Sequence, residues 1–127
     1  MFTLDIPTIL QHLRPNELWC VRGDQRTYAN LEWMDTITSI PSEQDLTDAE
    51  LAAAKSSRVA KVKSEAGARI LADYPAWKQD NAALGGYDQT TTDAIKAGIA
   101  AIRVSSNTAE SDVNALTDVA AVISFTW

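Results

Sequence analysis

The sequence predicts an α+β fold: a short N-terminal helix and a β-hairpin, followed by a long antiparallel helical hairpin. Three observations lead there. Apolar residues recur at helical spacing in 6–13, two aromatic and β-branched runs flank a Gly23-Asp24 turn, and two long helix-compatible stretches are separated by Gly85-Gly86. On this reading 1–40 form a small helix-plus-hairpin subdomain. Residues 41–127 form the helical hairpin with an extended aromatic C-terminal tail.

In the first helix Ile6, Ile9, Leu10 and Leu13 make the apolar face. Pro7 suits the first turn, where a missing N–H loses no partner, and Pro15 ends the helix by disfavouring helical angles at Arg14. The strands are 18–22 and 27–33, with Ala29, Leu31 and Trp33 on one face and Asn30 and Glu32 on the other. Two strands alone are marginal in water, so the hairpin must lean on a helix, with Trp19 and Trp33 supplying contact area. Residues 36–45 read as a linker interrupted by Pro41.

Thr47-Asp48-Ala49-Glu50 matches a capping box and starts the first long helix, 48–73. Its apolar stripe is Leu51, Ala54, Val59, Val62, Ala66, Ile70 and Leu71. Tyr74-Pro75 kinks it, 76–84 add two turns with Trp77 facing inward, and Gly85-Gly86 stops it. A second helix, capped from within 89–93, packs Ile95, Ile99, Ile102, Val113, Leu116 and Val119 against the first. Ser105-Ser106-Asn107 weakens its middle, where the helix can break. The short glycine-containing connection makes the two helices antiparallel neighbours. The end, 122–127, alternates like a strand and places Ile123, Phe125 and Trp127 on one side of an extended segment.

Composition excludes several functions. The 127 residues carry 11 Lys+Arg against 17 Asp+Glu, a formal net charge of -6. That excess opposes phosphate-backbone binding, which needs clustered cations, and favours a basic patch on a protein partner. No apolar run approaches the ~20 residues of a membrane span, and the start lacks the basic and apolar regions of a signal peptide. Cys20 is the one cysteine and His12 the one histidine. They cannot build a zinc site, and Cys20, between Trp19 and Val21, reads as a buried structural thiol.

No catalytic set emerges either. His12 lies off the apolar face of its helix and has no converging nucleophile. The acid pairs Asp45/Asp48 and Asp112/Asp118 lie where acids complement helix dipoles. Arg22-Gly23-Asp24 spells an adhesive tripeptide, yet Gly and Asp are what a turn requires there. Neither catalytic, cofactor-binding nor metal-ligating residues are expected. Trp19, Trp33 and Trp77 fall in patterned segments and read as core. Trp127 ends the sequence, and a large aromatic there suits a partner pocket, so Ile123, Phe125 and Trp127 are the candidate partner-binding residues.

Residues 9–15 (ILQHLRP), then Trp19, Gly23-Asp24, Tyr28, Leu31 and Trp33, resemble a module of tailed-bacteriophage tail-fibre and tail-assembly proteins. There a leucine-rich helix precedes a W…GD…Y…L.W hairpin, a linker like 40–46 and a long alanine-rich helix. Tyr74-Pro75-Ala76-Trp77-Lys78-Gln79-Asp80-Asn81 is similar to a second phage tail signature, followed by a helix like 99–110. The similarity spans 6–116 and consists of packing residues, although the linker lacks the Pro-Thr-Glu run of that family. It implies a non-enzymatic tail-fibre assembly chaperone or fibre-bound accessory protein, acting on a trimeric fibre chain in the host cytoplasm. The alternative is a permanent structural component of the tail, an adaptor or fibre-tip subunit. A small regulatory protein of the host–phage contest is a third reading. No nucleic acid, membrane or small-molecule substrate is expected.

Overall fold

Local chemistry opens the first helix. In the computed structural model, which describes Met1–Trp127, α1 spans Ile6–Leu13, and the Asp5 carboxylate accepts from the Thr8 N–H at 2.8 Å. After it come β1 (Trp19–Val21), a 3₁₀ turn (Tyr28–Asn30), β2 (Leu31–Trp33) and α2 (Glu43–Asp73). Then follow α3 (Ala76–Ala83), α4 (Gln89–Ala115) and α5 (Val119–Ser124). The chain is 65% helical, with α2 and α4 forming the long helical hairpin and β1 and β2 a small antiparallel sheet. The α+β architecture read from the sequence is therefore the architecture observed. Contacts divide the chain into two compact units: Met1–Arg58 with Val113–Thr126, and Val59–Asp112 with Trp127.

In the first unit, the strands pair Trp19 with Trp33, Cys20 with Glu32 and Val21 with Leu31. The inward side packs Trp19, Val21, Leu31 and Trp33 on a core of Phe2, Ile6, Ile9, Leu10, Leu46 and Ala53. Ile6, Ile9, Leu10 and Leu46 are fully buried. This burial, rather than the two-stranded ladder, holds the hairpin. The strands are shorter than expected. Residues 28–30 turn as a 3₁₀ helix, leaving Ala29 exposed, and Gly23 adopts φ 95° in the connection. Cys20 is half-buried beside Glu32 instead of buried, because alternation turns it away from the side that carries Trp19 and Val21.

α2 begins a turn earlier than the Thr47 box suggests. The Ser42 hydroxyl accepts from the Asp45 N–H at 3.0 Å and the Asp45 carboxylate accepts from the Ser42 N–H at 2.9 Å, a reciprocal cap. Thr47 instead donates its hydroxyl to the Glu43 carbonyl, and Glu50 accepts from the Thr3 and Leu4 N–H groups, both at 2.8 Å. The supposed linker thus contributes the helix start and the buried Pro41, whose carbonyl accepts from the Tyr28 hydroxyl at 2.6 Å. Val113 and Val122 are also fully buried in this unit. Residues 122–124 belong to α5, with Asp118 accepting from the Ala121 N–H. The strand-like alternation of 122–127 is thus overridden by a cap and by burial of Val122, and only 125–127 leave helical geometry.

In the second unit, α2 and α4 run antiparallel, and the buried and half-buried positions of α4 recur by threes and fours: Thr92, Ile95, Ile99, Ile102, Ser106 and Ala109. Thr92, Ile95, Ser106 and Ala109 are buried there, as are Val62 and Ala66 of α2. No break occurs at 105–107: α4 is continuous there, and Ser106 is buried within it. Asp73 ends α2 before Pro75, and Gly85 at φ 78° follows α3. Leu71 and Trp77 are 56% and 61% exposed, against the inward placement expected of both; Trp77 lies on α3, which is short, polar and buries no residue.

Candidate functional site

The candidate partner-binding residues close the sequence. Ile123 lies in α5, half-buried, and its carbonyl accepts from the Arg58 guanidinium. Phe125 caps the helix, its N–H donating to the Val122 carbonyl at 3.3 Å, and is likewise half-buried. Residues two apart on a helix diverge around its axis, so Ile123 and Phe125 do not share one side as an extended segment would arrange them.

Trp127 groups with the second unit and is held by one turn of α2. The Arg69 guanidinium stacks 3.8 Å from the ring centroid. Arg69 also donates to the Trp127 main-chain oxygen at 2.7 Å, and the indole N–H donates to Glu65 at 2.8 Å. The indole thus has its quadrupole faced by a cation and its one donor satisfied. The partners lie 58 and 62 residues upstream, where sequence spacing carries no signal for them.

The remaining candidates occupy separate places. His12 is exposed on α1. Arg22 pairs with Glu32 at 2.9 Å, and its guanidinium is pushed to still higher pKa by its hydrogen bonds with Cys20 and then Glu32. Asp24 caps the Arg26 N–H at 2.9 Å, so the Arg22-Gly23-Asp24 tripeptide serves its own loop. Asp45 is committed to the α2 cap and Asp118 to the α5 cap. No three His, Cys, Asp or Glu side chains converge at metal-binding distance. No helix is long and apolar enough to cross a membrane.

One surface escaped the sequence reading. The Leu18 carbonyl accepts from the N–H groups of Met34 and Asp35 at 2.8 and 3.0 Å, setting Leu18 and Met34 side by side at the open end of the hairpin. They are 65% and 57% exposed, and Ile37 just beyond is 93% exposed. The Asp35 carboxylate accepts from the Ile37 and Thr38 N–H groups and fixes this turn. The signal was available: alternation that turns Trp19, Val21 and Trp33 inward must turn Leu18 and Met34 outward. Comparison with known protein families, characterised proteins and solved structures gives no match.

Proposed function

We propose that this chain is a bacteriophage tail-fibre assembly chaperone or fibre-bound accessory protein that acts by protein–protein binding. The observation that supports binding is the solvent-exposed set Leu18, Met34 and Ile37, fixed on a capped turn beside the small sheet. Apolar side chains gathered in water mark interaction surfaces. The identity of the partner, a trimeric tail-fibre chain, rests on the sequence resemblance. Ile123, Phe125 and Trp127 are proposed as separate apolar and aromatic contacts with the fibre, which the chain would engage in the host cytoplasm during assembly.

Coexpression with a trimeric tail-fibre chain tests the reading. A soluble trimeric fibre should form with this chain and fail without it, and Leu18→Asp with Met34→Asp should abolish the effect. Equal yields of trimer with and without the chain would defeat the chaperone role. The virion separates the alternative: a permanent adaptor or fibre-tip subunit copurifies with mature particles, and a transient chaperone does not.

A further inference from the structure

Two glycines lie inside long helices, and only one is explained by the chain itself. Gly98 is needed because Tyr74 packs where its β-carbon would be, whereas a β-carbon on Gly67 would meet nothing within 4 Å. Glycine weakens a helix interior relative to alanine, so at Gly67 the chain carries a cost with no internal return. The place where it occurs is informative. Gly67 lines an open groove of about 410 Å³ running between α2 and α4 of the second unit. Ala66 and Ser106 line it as well, with Ile70 beside them, so small side chains make up much of its centre.

Charges border the groove. Lys63 stands on its α2 side, and Arg103 and Glu110 on its α4 side. None of the three has an ion-pair partner in the chain, whose salt bridges are Arg14–Glu17, Arg22–Glu32 and Lys61–Glu65. A two-fold symmetric interface uses the same patch on both subunits and must complement itself. This border does. With α2 laid over α4 of a copy, Lys63 faces Glu110 of the second copy. With α4 laid over α4 in the reverse direction, Arg103 faces it instead. Both arrangements oppose unlike charges across the groove and keep the facing helices antiparallel, as in four-helix bundles.

We propose that this groove is a self-association surface, where two copies pack their α2–α4 hairpins into a four-helix bundle with Gly67 at the closest approach. The inference is independent of the fibre reading and needs no fibre to test. Sedimentation equilibrium of the full chain, from micromolar to near-millimolar concentration at low salt, should show a reversible monomer–dimer equilibrium that weakens as salt is added. Gly67→Leu should leave the circular-dichroism spectrum of the monomer unchanged, since the position is open, yet weaken association at least about tenfold. Glu110→Lys should weaken it too. Adding Lys63→Glu or Arg103→Glu to that variant should restore it in one of the two cases and so identify the arrangement. A wild-type monomer at every concentration overturns the proposal, even if another protein's helix occupies the groove. So does a dimer indifferent to Gly67→Leu, or one that neither charge swap restores.

Discussion

Tyr74 fills the space that a β-carbon would occupy on Gly98, with its hydroxyl and ring carbons inside van der Waals contact of that position. The contact sits where α2 gives way at Pro75 and α4 passes alongside. Gly98→Ala should therefore lower the thermal midpoint, because crowding of about 1–3 kcal/mol outweighs the gain in helix propensity. Tyr74→Ala placed on top of it should cost less than the same change in the wild type. Additive losses in that cycle would show that the two residues do not touch. At Gly67, in dilute protein, Gly67→Ala should instead raise stability by about 0.5–1 kcal/mol.

The cap of α2 offers a test between two sequence-compatible helix starts. Ser42→Ala removes the acceptor for the Asp45 N–H and should cost about 1 kcal/mol, a midpoint drop of about 4 °C at this chain length. Thr47→Ala should stay within about 0.5 kcal/mol, because its hydroxyl only bonds back to the Glu43 carbonyl. The opposite ranking in thermal melts would return the start of the helix to Thr47.

A double-mutant cycle on Arg69→Ala and Trp127→Ala should give a coupling of about 0.5–1 kcal/mol, as expected for a cation over an indole in contact with water. Trp127→Ala alone should lower the midpoint by only a few degrees, since Val122 rather than Trp127 is the fully buried anchor of the C-terminal segment. Zero coupling would mean that the indole is not seated on Arg69.

Acid should undo the Asp35 turn in a defined direction. Its carboxylate accepts main-chain hydrogen bonds, first from Ile37 and then from Thr38, and these hold its pKa below the ordinary 3.8. A group whose pKa is lowered by folding adds stability above the unfolded value and loses that contribution as pH falls through the folded one. The stability gap between wild type and Asp35→Ala should be constant above about pH 5 and close in stronger acid. A gap that widens on acidification would contradict the assignment.

Elements governed by local chemistry were legible from the sequence. The bounds of α1 follow from Asp5, Pro7 and Pro15, the end of α2 from Pro75, and the turn after α3 from Gly85. The spacing of Ile95, Ile99 and Ile102 is enough to orient α4, because helical periodicity is itself a short-range property. Tertiary structure decided wherever two local answers competed. Glu50 could have closed a cap with Thr47, but its carboxylate is taken by main-chain N–H groups 46 and 47 residues away. The run 105–107 could have broken α4, yet the helix is continuous and Ser106 is buried in it. The segment 122–127 alternates as a strand would, and burial of Val122 together with the Asp118 cap draws its first half into a helix. The candidate site divides in the same way. The three residues could be named from their aromatic and apolar character, whereas the cradle of Trp127, Glu65 and Arg69, is formed by long-range contacts that only folding brings into reach.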